Sequence, residues 1–589
     1  MEQFCHFKIQ SLHFQLILTL VLVGPVLGQH APRVTSVFPE AQTISSETNT
    51  NILVTFDQAI DTQTVANSTF KIFGRWSGPA DGNLQFENNS TRVRFTPNAP
   101  FSVGEWVTVS LSKLIRGENG LSLENGYAWN FWIKSAPGTL ELQEISRISV
   151  RRESEGHIQC YGSYAGDLND DGWNDLTIIN EIPSDIRVFF NEGSGTYSNF
   201  TIYGLSGGAR PSPSEGADFN LDGFIDFAVG NTQNNKVHFF EGVGDGTFHP
   251  NAPSFPADSG VRGLAVIDLN GDGLYDVVTA NRNANNISLL MNNGDGTFST
   301  TNIEGGGNGE TACAVADANG DGIADLFVGA IHSEELILLL GDGSGGFPMS
   351  DKVNAIGNPW MVAVGDVNGD GNVDVVSANS TTNNAALSFG DGLGGLSEVV
   401  TYPAGAFPLA IDLGDLDGDG DLDMVTSSFS SGEWYFYEND GNGNFGNPRI
   451  RLAASAASCA TLHDHDNDGD LDMTGIDELD DLIFIFENDL ETGIRQVAEA
   501  AENFQLFQNY PNPFNPSTII EFSIPSSEYV SLKIYDTVGR QVATLVSKTL
   551  ATGNYKYEWS RPVEIASGVY LYQLKTDSFQ KTKKMILVR

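Results

Sequence analysis

The chain has 589 residues, with 75 acidic against 31 basic side chains and a formal charge of −44. That balance excludes a nucleic-acid partner, which must be met with cations, and it excludes docking on an anionic membrane surface. Aromatics at 10% beside 64 glycines also exclude a disordered acidic tail, leaving a folded, loop-rich, multidomain protein whose acid needs a counterion.

The apolar run QLILTLVLVGPVLG from Gln15 to Gly28 is short for a bilayer span and ends on small residues. It predicts a secretory signal peptide over 1–28, with Lys8 as its positive end. No Cys follows Gly28 for lipid attachment, and no later stretch is apolar enough for a transmembrane helix. Residues 31–136 then alternate apolar and polar in short runs, Ile52–Phe56, Thr91–Phe95 and Trp106–Leu111, between Pro, Gly and Asn turns. Pattern and size predict a β-sandwich. VTFDQAID, VRFTPNAPFSVGEWVTV and the closing Trp129-Asn-Phe resemble the bacterial Ig-like domains of surface-layer and adhesion proteins, for which a spacer role is the expectation.

Residues 137–490 repeat. The pattern D-x-[DN]-x-D-G-x-x-D begins at Asp167, Asp218, Asp268, Asp317, Asp366, Asp415 and Asp464, with spacings of 51, 50, 49, 49, 49 and 49 residues. A short apolar strand leads into the first Asp, a second follows the last, and a third apolar run comes next. A Gly-rich turn ending in an aromatic, such as GDGTF at Gly244, precedes a polar fourth strand. Four short strands in each unit, without helical periodicity, describe a propeller blade. The predicted fold is all-β: a seven-bladed β-propeller flanked by two Ig-like β-sandwich domains.

The seventh unit stops before its fourth strand, near Leu490, whereas an orphan strand-like stretch, Leu140–Val150, precedes the first. The ring is therefore expected to close with that stretch completing the last blade. Closure would bring Cys160 near Cys459, leaving a disulfide between them open. Otherwise Cys160, Cys313 and Cys459 read as small buried side chains.

The repeated loop has the composition of a calcium site. Ca²⁺ takes six to eight oxygen ligands; positions 1, 3, 5 and 9 offer side-chain oxygens, position 7 a backbone carbonyl, and Gly at position 6 permits the bend. The predicted ligands are Asp167, Asn169, Asp171, Trp173 and Asp175, then Asp218, Asn220, Asp222, Phe224 and Asp226. They continue as Asp268, Asn270, Asp272, Leu274 and Asp276, then Asp317, Asn319, Asp321, Ile323 and Asp325. The fifth set is Asp366, Asn368, Asp370, Asn372 and Asp374. The last two carry Asp at position 3: Asp415, Asp417, Asp419, Asp421 and Asp423, and Asp464, Asp466, Asp468, Asp470 and Asp472. EF-hand and dockerin loops share the opening but need an acid at position 12 and flanking helices. Here position 12 is apolar or small, as at Ile178, Val229, Thr279 and Val328, and the flanks are strands.

These units resemble the FG-GAP/VCBS repeats of the integrin α-subunit propeller and of many secreted bacterial proteins. The resemblance implies calcium loops that stiffen one face and ligands on the other; the family holds adhesins, lectins and propellers within polysaccharide lyases. On that other rim, near the starts of the inner strands, Tyr161, Arg210, Arg262, Glu310, Trp360 and Phe407 are candidates to contact an extracellular glycan or protein. Packing between blades would account for them equally well.

The enzyme motifs in the chain are accidental matches. G-x-S-x-G around Ser206 and G-x-G-x-x-G from Gly341 lie in turns with no helix to follow. His463 and His465 flank Asp464 among hard oxygen ligands and read as loop residues rather than zinc ligands. The expectation is a non-catalytic, monomeric binding protein. The alternative is a secreted polysaccharide-degrading enzyme with a site assembled from several blades.

After a linker at 491–503, residues 504–589 turn basic, with 10 Lys plus Arg against 6 Asp plus Glu. Strand runs such as VSLKIYD and GVYLYQLK predict a second small β-sandwich. NYPNPFNP from Asn509, Tyr535-Asp-x-x-Gly-Arg540, Ala566–Tyr570 and Lys584–Arg589 closely resemble the sorting domain of cargo for the type IX secretion system of Bacteroidota-like bacteria. That implies the type IX machinery as a partner and a mature protein that is secreted or attached to the outer-membrane surface.

Overall fold

The computed structural model describes residues 30–588 except 194, 206, 208–209, 251, 489–493, 499–500, 502, 516, 539, 561–566 and 577. The predicted signal peptide and Ser206 lie outside the described residues. Among the described residues the chain is strands and turns, with no α-helix.

Seven four-stranded antiparallel sheets occupy the repeat region. In the first, Cys160–Gly166, Asp175–Asn180, Asp185–Phe189 and Thr201–Gly204 pair in sequence order. The same order recurs in sheets starting at Pro211, Val261, Glu310, Pro359 and Pro408. The seventh contains Ala457–His463, Asp472–Asp477 and Leu482–Glu487, and its fourth strand is Gln143–Ser149 from before the first unit. Successive inner strands touch, and Cys160–Gly166 lies against Ala457–His463, the layout expected of seven blades around a channel. Every second strand is buried at all six positions, which is why these strands read as continuous apolar runs. Outer strands such as Met349–Asn354 alternate between exposed and half-buried, because one face meets water.

The seam between blades one and seven is polar and tightly bonded. Asp481 accepts the amides of Ile158 and Gln159 at 3.1 and 2.9 Å. Arg187, 1% exposed, donates to Val150 O at 2.7 Å and pairs with Glu155 at 2.8 Å and Asp185 at 3.2 Å. It thereby fastens the segment that leaves the closing strand onto blade one. Arg187→Leu would leave those carboxylates without a cation, for an expected loss of about 3–5 kcal/mol. A urea melt should show a lower midpoint at unchanged slope.

The three described cysteines are free thiols, so no Cys160–Cys459 disulfide forms. Cys160 Sγ donates to Asp477 O at 3.4 Å within the buried cluster between the two blades, whereas Cys459 lines the channel, 3.4 Å from Ser163 Oγ. The pairing register breaks between Cys160 and Gly162 and again between Ala457 and Cys459. That irregularity sends the two thiols to different sides.

The N-terminal sandwich packs Val34–Phe38, Ile52–Phe56, Arg92–Pro97 and Gly82–Glu87 against Gly78–Pro79, Phe70–Gly74, Trp106–Leu111 and Tyr127–Trp132. It is not a free spacer, because it is seated across the face that carries the repeated loops. Lys113 N donates to Gly271 O and Ala128 N to Gly322 O, both at 2.7 Å, and Asp167 N donates to Trp76 O at 2.8 Å. Trp76 is buried in the same apolar cluster as Leu416, Leu471 and Leu176. Arg75 reaches into the channel and pairs with Asp412 at 3.1 Å.

The C-terminal sandwich starts earlier than position 504. Ile494–Ala498, within the segment read as a linker, pairs with Gly553–Ser560. The physical reason is the open edge that Gly553–Ser560 would otherwise present. The same sheet holds Ser517–Ile524 and Gln505–Leu506, and the second sheet holds Gln541–Leu550, Glu528–Asp536, Gly568–Lys575 and Gln580–Leu587.

Candidate functional site

Each repeated loop joins the first and second strands of its blade. Gly at position 6 has a positive φ in all seven, from 80° at Gly322 to 102° at Gly469, which only glycine adopts without strain. The position 1 carboxylate accepts that glycine's amide, as Asp167 does from Gly172 at 2.8 Å and Asp464 from Gly469 at 3.0 Å. Position 5 accepts the amide of position 7, as Asp272 does from Leu274 at 2.9 Å.

Position 9 acts as a clamp. One of its oxygens accepts the amide of position 2 and the other an amide sixteen residues on, at the end of the third strand; Asp276 does so from Leu269 at 2.9 Å and Asn292 at 2.8 Å. The same pair of bonds recurs in the other six loops. Burial pushes the Asp175, Asp325 and Asp374 carboxyls up to about 7 and that of Asp226 to about 8.

The last two loops hold more carboxylate than their hydrogen bonds use. Position 7, expected to give only a carbonyl, is Asp421 and Asp470. The Oδ1 atoms of Asp415, Asp421, Asp464 and Asp470 are buried with no hydrogen-bond partner. Ligand atoms of Asp415, Asp417 and Asp423 lie within 4.8 Å of one another, as do those of Asp464, Asp466 and Asp468. Buried acceptors without donors are costly, and a hard cation satisfies them. The donor set fits Ca²⁺.

The opposite mouth of the channel gathers most of the predicted rim. Trp360 Nε1 donates to Tyr161 Oη at 2.8 Å. The Arg262 guanidinium lies 5.7 Å from the Tyr161 ring centroid and 5.8 Å from that of Trp360, with Arg282 5.6 Å from the latter. Phe407 packs on Trp360 at 5.5 Å. Glu181 pairs with Arg262 at 3.4 Å and with the half-exposed Arg210 at 3.9 Å. Gln159 donates to Glu478 at 2.9 Å. Burial raises the carboxyls of both Glu181 and Glu478, the latter to about 7. Between this mouth and the sandwich lies a cavity of about 310 Å³, lined also by Arg75, Trp106 and Trp132.

Glu310 does not join this group. It is fully buried and accepts the Gly307 amide at 3.2 Å. Its place in the repeat, seven residues before the first Asp, is buried in every blade: Cys160, Pro211, Val261, Pro359, Pro408 and Ala457. Tyr161, Arg262 and Trp360 sit one residue later and face the mouth.

Residues 167–229, 218–279, 268–328 and 366–426 match the FG-GAP-like repeat. The chain carries FG-GAP-like repeats. Residues 28–132 match a bacterial Ig-like domain and residues 508–588 a secretion system C-terminal sorting domain. The chain is therefore exported by the type IX route, to the cell surface or the medium, and its sorting domain engages that machinery. Among the described residues, no helix is long and apolar enough to cross a membrane. No curated protein matches the chain. One solved structure, a Photorhabdus luminescens Tc holotoxin pore, aligns at 12% identity with a TM-score of 0.31, over 89% of this chain and 23% of that one.

Glu181, Arg282 and Glu478 were not among the predicted rim residues, yet the repeat frame contains them. All three stand fourteen residues after the first Asp of a repeat unit, where the other blades have Thr232, Ile331, Ser380 and Phe429. Variation at a fixed place on the channel mouth is the signal that marks them.

Proposed function

We propose that this exported FG-GAP protein is a seven-bladed surface propeller, stiffened by Ca²⁺ in its loops, that binds an extracellular glycan or protein at the channel mouth without chemistry. The reading is carried by the convergence of Tyr161, Arg262 and Trp360 from blades one, three and five on the mouth opposite the Ig-like domain. Aromatic rings offer flat apolar faces to sugar rings or peptide side chains, and a guanidinium offers donors in a rigid fork. Arg262 Nε is buried with no hydrogen-bond partner, a donor that a ligand acceptor would satisfy. In a screen of glycans and peptides against the calcium-loaded chain, Trp360→Ala and Arg262→Ala are each expected to weaken the best ligand at least tenfold. If no panel member binds saturably, or binding ignores both substitutions, the reading fails.

A second reading, polysaccharide cleavage at the same mouth, is favoured by Glu478. Its carboxyl is raised to about 7 by burial and its Oε2 has no partner, properties that suit a general acid or base. Release of reducing or unsaturated ends, lost in Glu478→Gln, would decide for the enzyme.

A further inference from the structure

Two places that face each other in the seventh blade carry a pair of side chains found together in no other blade. Position 2 is Leu168, Phe219, Leu269, Ala318, Val367 and Leu416 in the first six loops, and His465 in the seventh. Fifteen residues after position 9, where the third strand ends, stand Phe190, Glu241, Met291, Leu340, Phe389 and Glu438, and in blade seven Glu487. An imidazole and a carboxylate coincide in blade seven alone, so they are not a requirement of the repeat.

The imidazole is held as a ligand would be. His465 is 1% exposed, and its Nδ1 is hydrogen-bonded to Asp472 Oδ2. Asp472 Oδ2 also accepts His465 N at 3.2 Å, while its Oδ1 accepts Asn488 N at 2.8 Å. The carboxylate is thus fixed in place and selects the tautomer with the proton on Nδ1. Nε2 lies 3.3 Å from Glu487 Oε2 but is not aligned for a hydrogen bond, and it has no other partner. On the neighbouring blade, Asn191 Nδ2 donates to His465 O at 2.7 Å, and a Cβ on Gly195 would come within 2.3 Å of the ring. Ligand atoms of His465, Asp466, Asp472 and Glu487 lie within 4.8 Å of one another. His463, by contrast, is engaged inside the blade, its Nε2 2.8 Å from Thr474 Oγ1.

We propose that blade seven carries a second kind of metal site, for a borderline transition ion such as Zn²⁺, built from His465 Nε2 with the Glu487 and Asp466 carboxylates and oriented by Asp472. A carboxylate that fixes one imidazole nitrogen while the other meets the metal is the usual outer-shell arrangement of such centres. An imidazole nitrogen favours zinc, copper, iron or nickel, whereas the oxygen-only loops suit Ca²⁺. The site does not depend on the ligand reading above, since it lies on the loop side of the blades.

The test uses the full chain in millimolar Ca²⁺, titrated with ZnCl₂ and separately with CoCl₂. The expected result is one Zn²⁺ per chain that millimolar Ca²⁺ does not displace, together with a visible Co²⁺ absorption band. His465→Gln and Glu487→Gln should each weaken Zn²⁺ binding at least tenfold while leaving Ca²⁺ uptake unchanged. If Zn²⁺ is not bound, is exchanged one for one by Ca²⁺, or is bound equally by both variants, then His465 is an imidazolium paired with Glu487 only and the proposal is overturned. Should His465→Gln fold poorly, the Co²⁺ spectrum of Glu487→Gln decides.

Discussion

Stripping the divalent ions is expected to lower the melting temperature of the blades by on the order of 15–25 °C near pH 8, and by much less near pH 5. Calcium loops of extracellular modules bind at about 10⁻⁴–10⁻³ M. At roughly 10 mM Ca²⁺ each loop then stabilises the folded state by about 1.4–2.7 kcal/mol. Seven loops acting on about 350 residues, at about 2 cal/mol/K of unfolding entropy per residue, give a shift of that size. The pH dependence follows from the carboxyls that burial raises. Asp175, Asp325, Asp374 and Asp415 rise to about 7 and Asp226 to about 8, against about 3.9 in an unfolded chain. Between these limits the metal-free folded state holds more protons than the unfolded state. Its stability is therefore greatest below pH 4 and is lost as pH rises through 7–8. Metal binding needs the same groups deprotonated and strengthens in the opposite direction. Melting curves with Ca²⁺ and with a chelator should converge at pH 5 and diverge at pH 8. A chelated protein that melts higher at pH 8 than at pH 5, or a melt that ignores the chelator at both, would sink the calcium reading.

The parts of this molecule that were legible in the chain are those written by local rules. The loop pattern demanded glycine where φ is positive, and the closing strand Gln143–Ser149 declared itself as a strand-like stretch without a partner, matched by a blade without a fourth strand. What stayed hidden depends on register and on contacts between distant segments. Arg75, Trp76 and Lys113 look ordinary in sequence, and become an anchoring row only when the sandwich meets the loop face. Glu310 looked like a rim residue because it starts an inner strand, but one step of strand register turns a side chain to the other face. The clamping role of position 9 was also invisible: a carboxylate in an acidic loop reads only as a ligand, and the two amides that Asp276 also accepts come from position 2 and from the far end of the blade.

Truncation after Asn488 is expected to leave the blades folded and to abolish appearance at the cell surface. The last blade needs nothing beyond Glu487, since its outer strand is Gln143–Ser149, and Asn488 closes the final loop by donating to Leu416 O at 2.6 Å and Leu471 O at 2.9 Å. The C-terminal sandwich has a core of its own, built on Phe514, Ile520, Phe522, Tyr572 and Met585, with no blade residue in it. Its removal should therefore leave the melting midpoint of the blades nearly unchanged while the protein accumulates in the periplasm. The converse experiment is sensitive to the corrected boundary. Fused to an inert exported reporter in a host with the type IX machinery, residues 494–589 should carry the reporter across the outer membrane. A fusion starting at 504 lacks the edge strand Ile494–Ala498, exposes Gly553–Ser560, and should be exported less and aggregate more. If the truncated chain still reaches the surface, the address lies elsewhere in the protein; if both fusions are exported equally, the added strand is dispensable for sorting.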